Sequence, residues 1–118
     1  MRRLALLPLL LAVLFLGACD DITGPGGRSL DGRWSTRFDG ETIRFSLRDD
    51  RGDVRGSGDW GRDDVYVWGE RYDSDVYLTF EFDRFSPIEF EGEIRGREIE
   101  GRLYGSGLDG ERVRFRRD

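Results

Sequence analysis

From Leu30 onward, apolar residues recur at every second position in eight short runs, and turn-forming residues separate the runs. A period of two sends alternate side chains to opposite faces of a strand, whereas an amphipathic helix needs a period near 3.6. No stretch of this region carries the helical period. The fold class is therefore all-β, and each link between neighbouring runs can be tested. Strands paired across a short turn must set their apolar residues on one face.

Every link passes. Asp39-Gly40 is a strong two-residue hairpin turn that places Trp34 opposite Phe45 and Thr36 opposite Ile43. A turn at Asp50-Arg51 pairs Leu47 with Val54, and a loop from Gly61 to Asp64 pairs Trp60 with Val65. Asp73-Ser74 pairs Val67 with Phe80 and leaves Trp68 opposite Thr79 on the other face. Asp83 to Pro87 pairs Phe82 with Ile88 and Phe80 with Phe90, and Gly96-Arg97 pairs Ile94 with Ile99 and Phe90 with Leu103. A last turn at Leu108-Asp109-Gly110 pairs Leu103 with Phe115. An antiparallel meander has two bare edges unless it closes on itself. The sequence thus predicts an eight-stranded up-and-down β-barrel over residues 31–118, with strands of six to eight residues.

The N-terminal segment has a different logic. Arg2 and Arg3 precede an apolar run from Leu4 to Leu16, broken only by Pro8. That run is too short to span a bilayer, which takes roughly twenty residues, and it has the layout of an export signal. It ends in Leu16-Gly17-Ala18-Cys19, and Cys19 is the only cysteine of the chain. This ending resembles the lipobox of bacterial lipoproteins, in which small residues before an obligatory Cys admit the lipoprotein signal peptidase. The resemblance implies a diacylglycerol thioether on Cys19 and an acyl chain such as palmitate on its new amino group. It also implies a domain exported into the cell envelope and held on a membrane. Residues 1–18 are then the signal peptide. Residues 19–30, with Gly24, Pro25, Gly26 and Gly27, are the lipidated Cys and a flexible tether.

Charge narrows the partners. All 19 basic residues are Arg, against 24 acidic ones, and the chain has no Lys, His, Asn or Gln. Without residues 1–18 the balance is 17 to 24, a net charge of −7. An acidic domain is repelled by phosphate backbones, so nucleic acid is not an expected partner. The absence of His removes the commonest general base and metal ligand together. No Ser-His, Cys-His or zinc-type spacing is present, and the carboxylates of Asp49-Asp50-Arg51-Gly52-Asp53 and Asp73-Ser74-Asp75 do not follow a calcium loop. Neither an enzyme, a cofactor nor a metal site is expected.

Gly32-Arg33-Trp34 at the start of the first strand resembles the Gly-x-Trp of lipocalins and avidin-like barrels. There the Trp plugs one end and an Arg of the final strand covers it. The resemblance implies that Arg114, Arg116 or Arg117 is that cover. The second lipocalin motif, the disulfide and the C-terminal helix have no counterpart here.

Two surfaces are candidates for function. The inward side carries Trp34, Phe45, Trp60, Phe80 and Phe90, which would line a site for a small apolar ligand if the barrel holds a cavity. Gly56, Gly58, Gly69, Gly92, Gly101 and Gly105 face the same way and would relieve crowding, allow sharp coiling or leave a void. The outward side carries Tyr66, Trp68, Tyr72 and Tyr77 on the fourth and fifth strands, residue types favoured in partner surfaces. These give two readings: a lipocalin-like carrier, or an envelope interaction or inhibitor module.

Overall fold

The computed structural model describes residues 28–118. Eight antiparallel strands follow in chain order: β1 (Gly32–Phe38), β2 (Glu41–Asp50), β3 (Asp53–Trp60), β4 (Asp63–Tyr72), β5 (Asp75–Phe82), β6 (Ile88–Arg95), β7 (Glu98–Gly105) and β8 (Leu108–Arg117). Each pairs with the next and β8 returns to β1, so the meander is a closed barrel. The strands run to seven to ten residues, longer than the alternation alone suggested. The barrel and its core close within the described residues.

Alternation sets the inside and outside. Along β2, for example, Ile43, Phe45 and Leu47 are buried while Arg44, Ser46 and Arg48 are exposed. The nineteen buried apolar residues include at least one from every strand and form one continuous core. Leu30, grouped by composition with the tether, is fully buried among them.

Three hairpin registers match expectation: Trp34 lies opposite Phe45, Val67 opposite Phe80, and Ile94 opposite Ile99. The other four differ. Leu47 pairs with Gly56 and Asp49 with Val54, because the turn is Arg51-Gly52, with φ of 56° and 95°. Positive φ at both central residues matches the twist of the flanking strands, so the turn settles where Gly takes the second position. Trp60 pairs with Asp63 and Val65 with Gly58, across a two-residue turn that begins at Gly61. Phe80 lies opposite Ile88 and Leu78 opposite Phe90, which leaves Phe82 paired with Val65 on β4 but with no partner on β6. Phe82 packs instead on Trp60, with ring centroids 5.5 Å apart.

The last turn is Ser106-Gly107, so Phe115 faces Ile99 and Leu103 faces Glu111. Gly110, with φ of 88°, is not the turn residue; it accommodates an extra residue of β8 where the register shifts between Leu103 and Tyr104. All four corrections move the strands by even numbers of residues. An even slip keeps every side chain on its face, which is why the inward set survives.

The seam is shorter than the other ladders. β1 and β8 pair only at Trp34 with Arg117 and Ser35 with Arg116, reinforced by the Asp118 N–H donating to the Arg33 carbonyl at 2.9 Å.

Candidate functional site

The five inward aromatics nominated as ligand lining meet one another or their neighbours. Phe45 packs edge-on to Phe80 (5.4 Å) and Phe115 (5.0 Å), Trp60 to Phe80 (5.4 Å), and Phe90 to Phe115 (5.5 Å). Such edge-to-face pairs each contribute about 0.5–1.5 kcal/mol beyond the area they bury. The inward glycines are places of contact. At Gly56, Gly58, Gly69, Gly92 and Gly101 a β-carbon would fall 1.9–2.3 Å from a carbonyl oxygen of an adjacent strand.

Trp34 closes one end. Its indole Nε1 donates to the Leu30 carbonyl at 2.8 Å, and the guanidinium of Arg117 sits 4.5 Å from the centre of its ring. Arg117 also donates to the carbonyls of Ser29 (2.7 Å) and Asp31, stitching the entering chain to the last strand. Burial, followed by the nearby charge of Arg97, lowers the pKa of this guanidinium. Of the three arginines considered as cover, Arg117 takes the place. Arg114 and Arg116 point outward to Glu100 (3.2 Å) and Glu98 (3.1 Å) on β7.

The same end holds a group that the sequence presents only as one more turn acid. The Asp49 carboxylate, 1 % exposed, accepts from Arg71 Nε (2.5 Å), the Leu30 N–H (2.9 Å) and the Gly52 N–H (2.8 Å). Burial alone would raise its pKa, but these donors outweigh it and hold the carboxyl below its ordinary value. Alternation puts Asp49 on the face of Leu47, and the two-residue shift of the β2–β3 register keeps it within β2 instead of at the turn.

The outward aromatics come together across β4 and β5. Trp68 lies opposite Thr79, Tyr66 opposite Glu81, and Tyr77 opposite Glu70 and Glu91. Tyr66, Trp68 and Tyr77 are 57 %, 45 % and 45 % exposed and line a groove of about 810 Å³ that runs from β3 to β6. Trp68 Nε1 donates to Glu81 at 3.0 Å, which fixes the indole against the wall. Tyr72 stands at the end of this strip, edge-on to Tyr77 at 6.3 Å, and donates to Glu70, which pushes its phenol pKa up. Around the aromatics stand Glu70, Glu81, Glu89, Glu91 and Asp53, with Arg55 as the one basic lining residue. The sequence pointed to the four aromatics; the carboxylate ring emerges only when β3 to β6 are laid side by side.

Among the described residues no three metal-ligating side chains converge. Cys19 lies outside the described residues. Comparison with protein-family models, curated proteins and solved structures returns no match for this chain. The described residues form a closed eight-stranded barrel with a continuous apolar core and an aromatic, acid-rimmed groove on its wall.

Proposed function

We propose that this chain is a bacterial envelope lipoprotein, anchored through lipid on Cys19, whose barrel binds a basic segment of a partner protein in the groove of Tyr66, Trp68 and Tyr77. One observation carries the binding role: exposed aromatic faces stand inside a ring of carboxylates. Exposed aromatics in a cluster favour contact. A ring of carboxylates selects Lys or Arg, whose cations gain about 0.5–1 kcal/mol on an exposed aromatic face and about 2 kcal/mol when desolvated. The lipocalin-like alternative has the Gly32-Arg33-Trp34 start and the Arg117 cover in its favour. It has less support for a ligand, because the side chains that would line the site are in contact with one another.

The binding role is tested by calorimetry of residues 20–118 with an octalysine peptide. Binding is expected, and Trp68→Ala combined with Tyr66→Ala is expected to weaken it about ten-fold or more, equal to about 1.4 kcal/mol, with circular dichroism unchanged. An affinity indifferent to both changes would count against the groove. The anchor has its own test, for two acyl-type chains hold a protein firmly, at about 0.8 kcal/mol per buried methylene. Cys19→Ser in the full chain is expected to abolish metabolic labelling by a fatty acid; retained label on that variant would rule the lipidation out.

A further inference from the structure

The meander sorts charge by strand. On β8, β1 and β2 the outward charges are mostly Arg112, Arg114, Arg116, Arg33, Arg37, Arg44 and Arg48, and the exposed carboxylates of these strands, Asp109, Glu111, Glu41 and Asp50, stand toward strand ends. On β4, β5 and β6 the outward charges are carboxylates, with Arg95 alone at an end. Strands β3 and β7 carry both signs and separate the two walls. Because β1 is four strands from β5 in either direction around the closed order, the basic wall stands opposite the acidic one.

A soluble surface ordinarily intersperses the two signs, and a large single-sign field acts as a steering surface. Pairing within the molecule does not absorb this one. Arg114 and Arg116 meet Glu100 and Glu98, but Arg33, Arg37, Arg44, Arg48 and Arg112 form no ion pair among the described residues. The basic wall is also concave where the seam is short. Past Ser35 and Arg116 the two edge strands no longer pair, and a groove of about 710 Å³ opens there, with Arg37, Arg44, Arg112 and Arg114 around it and one carboxylate, Glu100, which is paired with Arg114.

We propose that this arginine wall rests on a bilayer of anionic lipids, whose phosphates occupy the seam groove. Rows of guanidinium groups match phosphate by charge and by their planar, forked donors. The net negative charge does not prevent this. Opposing walls of the barrel are roughly 10 Å apart at the backbone, before side chains are added. The acidic wall is thus beyond the Debye length of about 8 Å when the basic wall is in contact. Where Cys19 carries lipid, as proposed above, the nine links to Arg28 reach at most about 30 Å. The tether keeps the barrel near the surface without choosing a wall, and the arginines make the choice. In that pose the groove of Tyr66, Trp68 and Tyr77 faces away from the membrane.

The test uses residues 20–118, which carry no lipid, with vesicles of phosphatidylcholine alone or with one third phosphatidylglycerol. Sedimentation with the anionic vesicles only is expected, and it should disappear in high salt. Each arginine near such a surface is worth roughly five-fold in binding. Arg37→Glu with Arg44→Glu is therefore expected to weaken binding at least twenty-fold, while Trp68→Ala leaves it unchanged. Should the double variant misfold, the salt dependence of the unaltered protein decides alone. Equal binding to neutral vesicles would overturn the proposal. So would an Arg37→Glu/Arg44→Glu variant that binds as before, or head-to-tail association of the protein without lipid, which would give the arginine wall to a second copy.

Discussion

Gly58→Ala is expected to lower the stability of the barrel by about 3–5 kcal/mol, measured by urea unfolding. The added β-carbon would lie 1.9 Å from the Arg44 carbonyl oxygen, 2.5 Å from Phe45 Cα and 2.7 Å from Phe45 Cβ. Two of these three atoms are backbone, so no rotamer change relieves the clash. The strands must part, and parting them breaks ladder hydrogen bonds that contribute about 1 kcal/mol each. Ser57, one residue earlier and facing outward, provides the control, since Ser57→Ala should stay within about 0.5 kcal/mol. A Gly58→Ala protein as stable as the parent would mean that β2 and β3 do not approach this closely.

Asp49→Ala is expected to cost a similar amount, about 3–5 kcal/mol at neutral pH, because it leaves Arg71 and two N–H groups without their acceptor. The pair also links stability to pH. The folded-state pKa of Asp49 is depressed, so its contribution is fully present above the unfolded value of about 3.9 and is lost as pH falls through the folded value. Acid unfolding of the parent below about pH 4 should therefore be steeper than that of Asp49→Asn. Parallel acid curves for the two proteins would show that the carboxylate is not held in this way.

How much of this was legible follows from what alternation encodes. Period two tells inside from outside, so spacing alone places Trp34, Phe45, Trp60, Phe80 and Phe90 inward and Tyr66, Trp68, Tyr72 and Tyr77 outward. It does not tell register, because shifts by two or four residues preserve the faces. For that reason spacing sets the turns at Asp50-Arg51 and Leu108-Asp109-Gly110 where the molecule has Arg51-Gly52 and Ser106-Gly107, and it leaves Asp49 at the flank of the first. Gly110 misled because a left-handed glycine serves a bulge as readily as a turn. The resemblance of Gly32-Arg33-Trp34 carried the Arg cover to three candidates. Choosing Arg117 required knowing that β8 enters the seam with Arg116 facing out. The bipolar wall was invisible for a simpler reason: β8 and β1 lie at opposite ends of the sequence and become neighbours only in the closed sheet.

The stitch between Arg117, Asp118 and the segment Ser29–Ser35 sets an order of events during synthesis. Closing the seam joins positions more than eighty residues apart, and such long-range pairing is slow to form. A chain made only through β7 is an open sheet, with β1 and β7 as bare edges and Trp34 without its cover. Local hairpins can form as the chain emerges, but the cylinder is completed only when β8 pairs with β1. Until then the bare edges of β1 and β7 are open to pairing with other chains. Arg117 and Asp118 act as a latch that closes both edges at once.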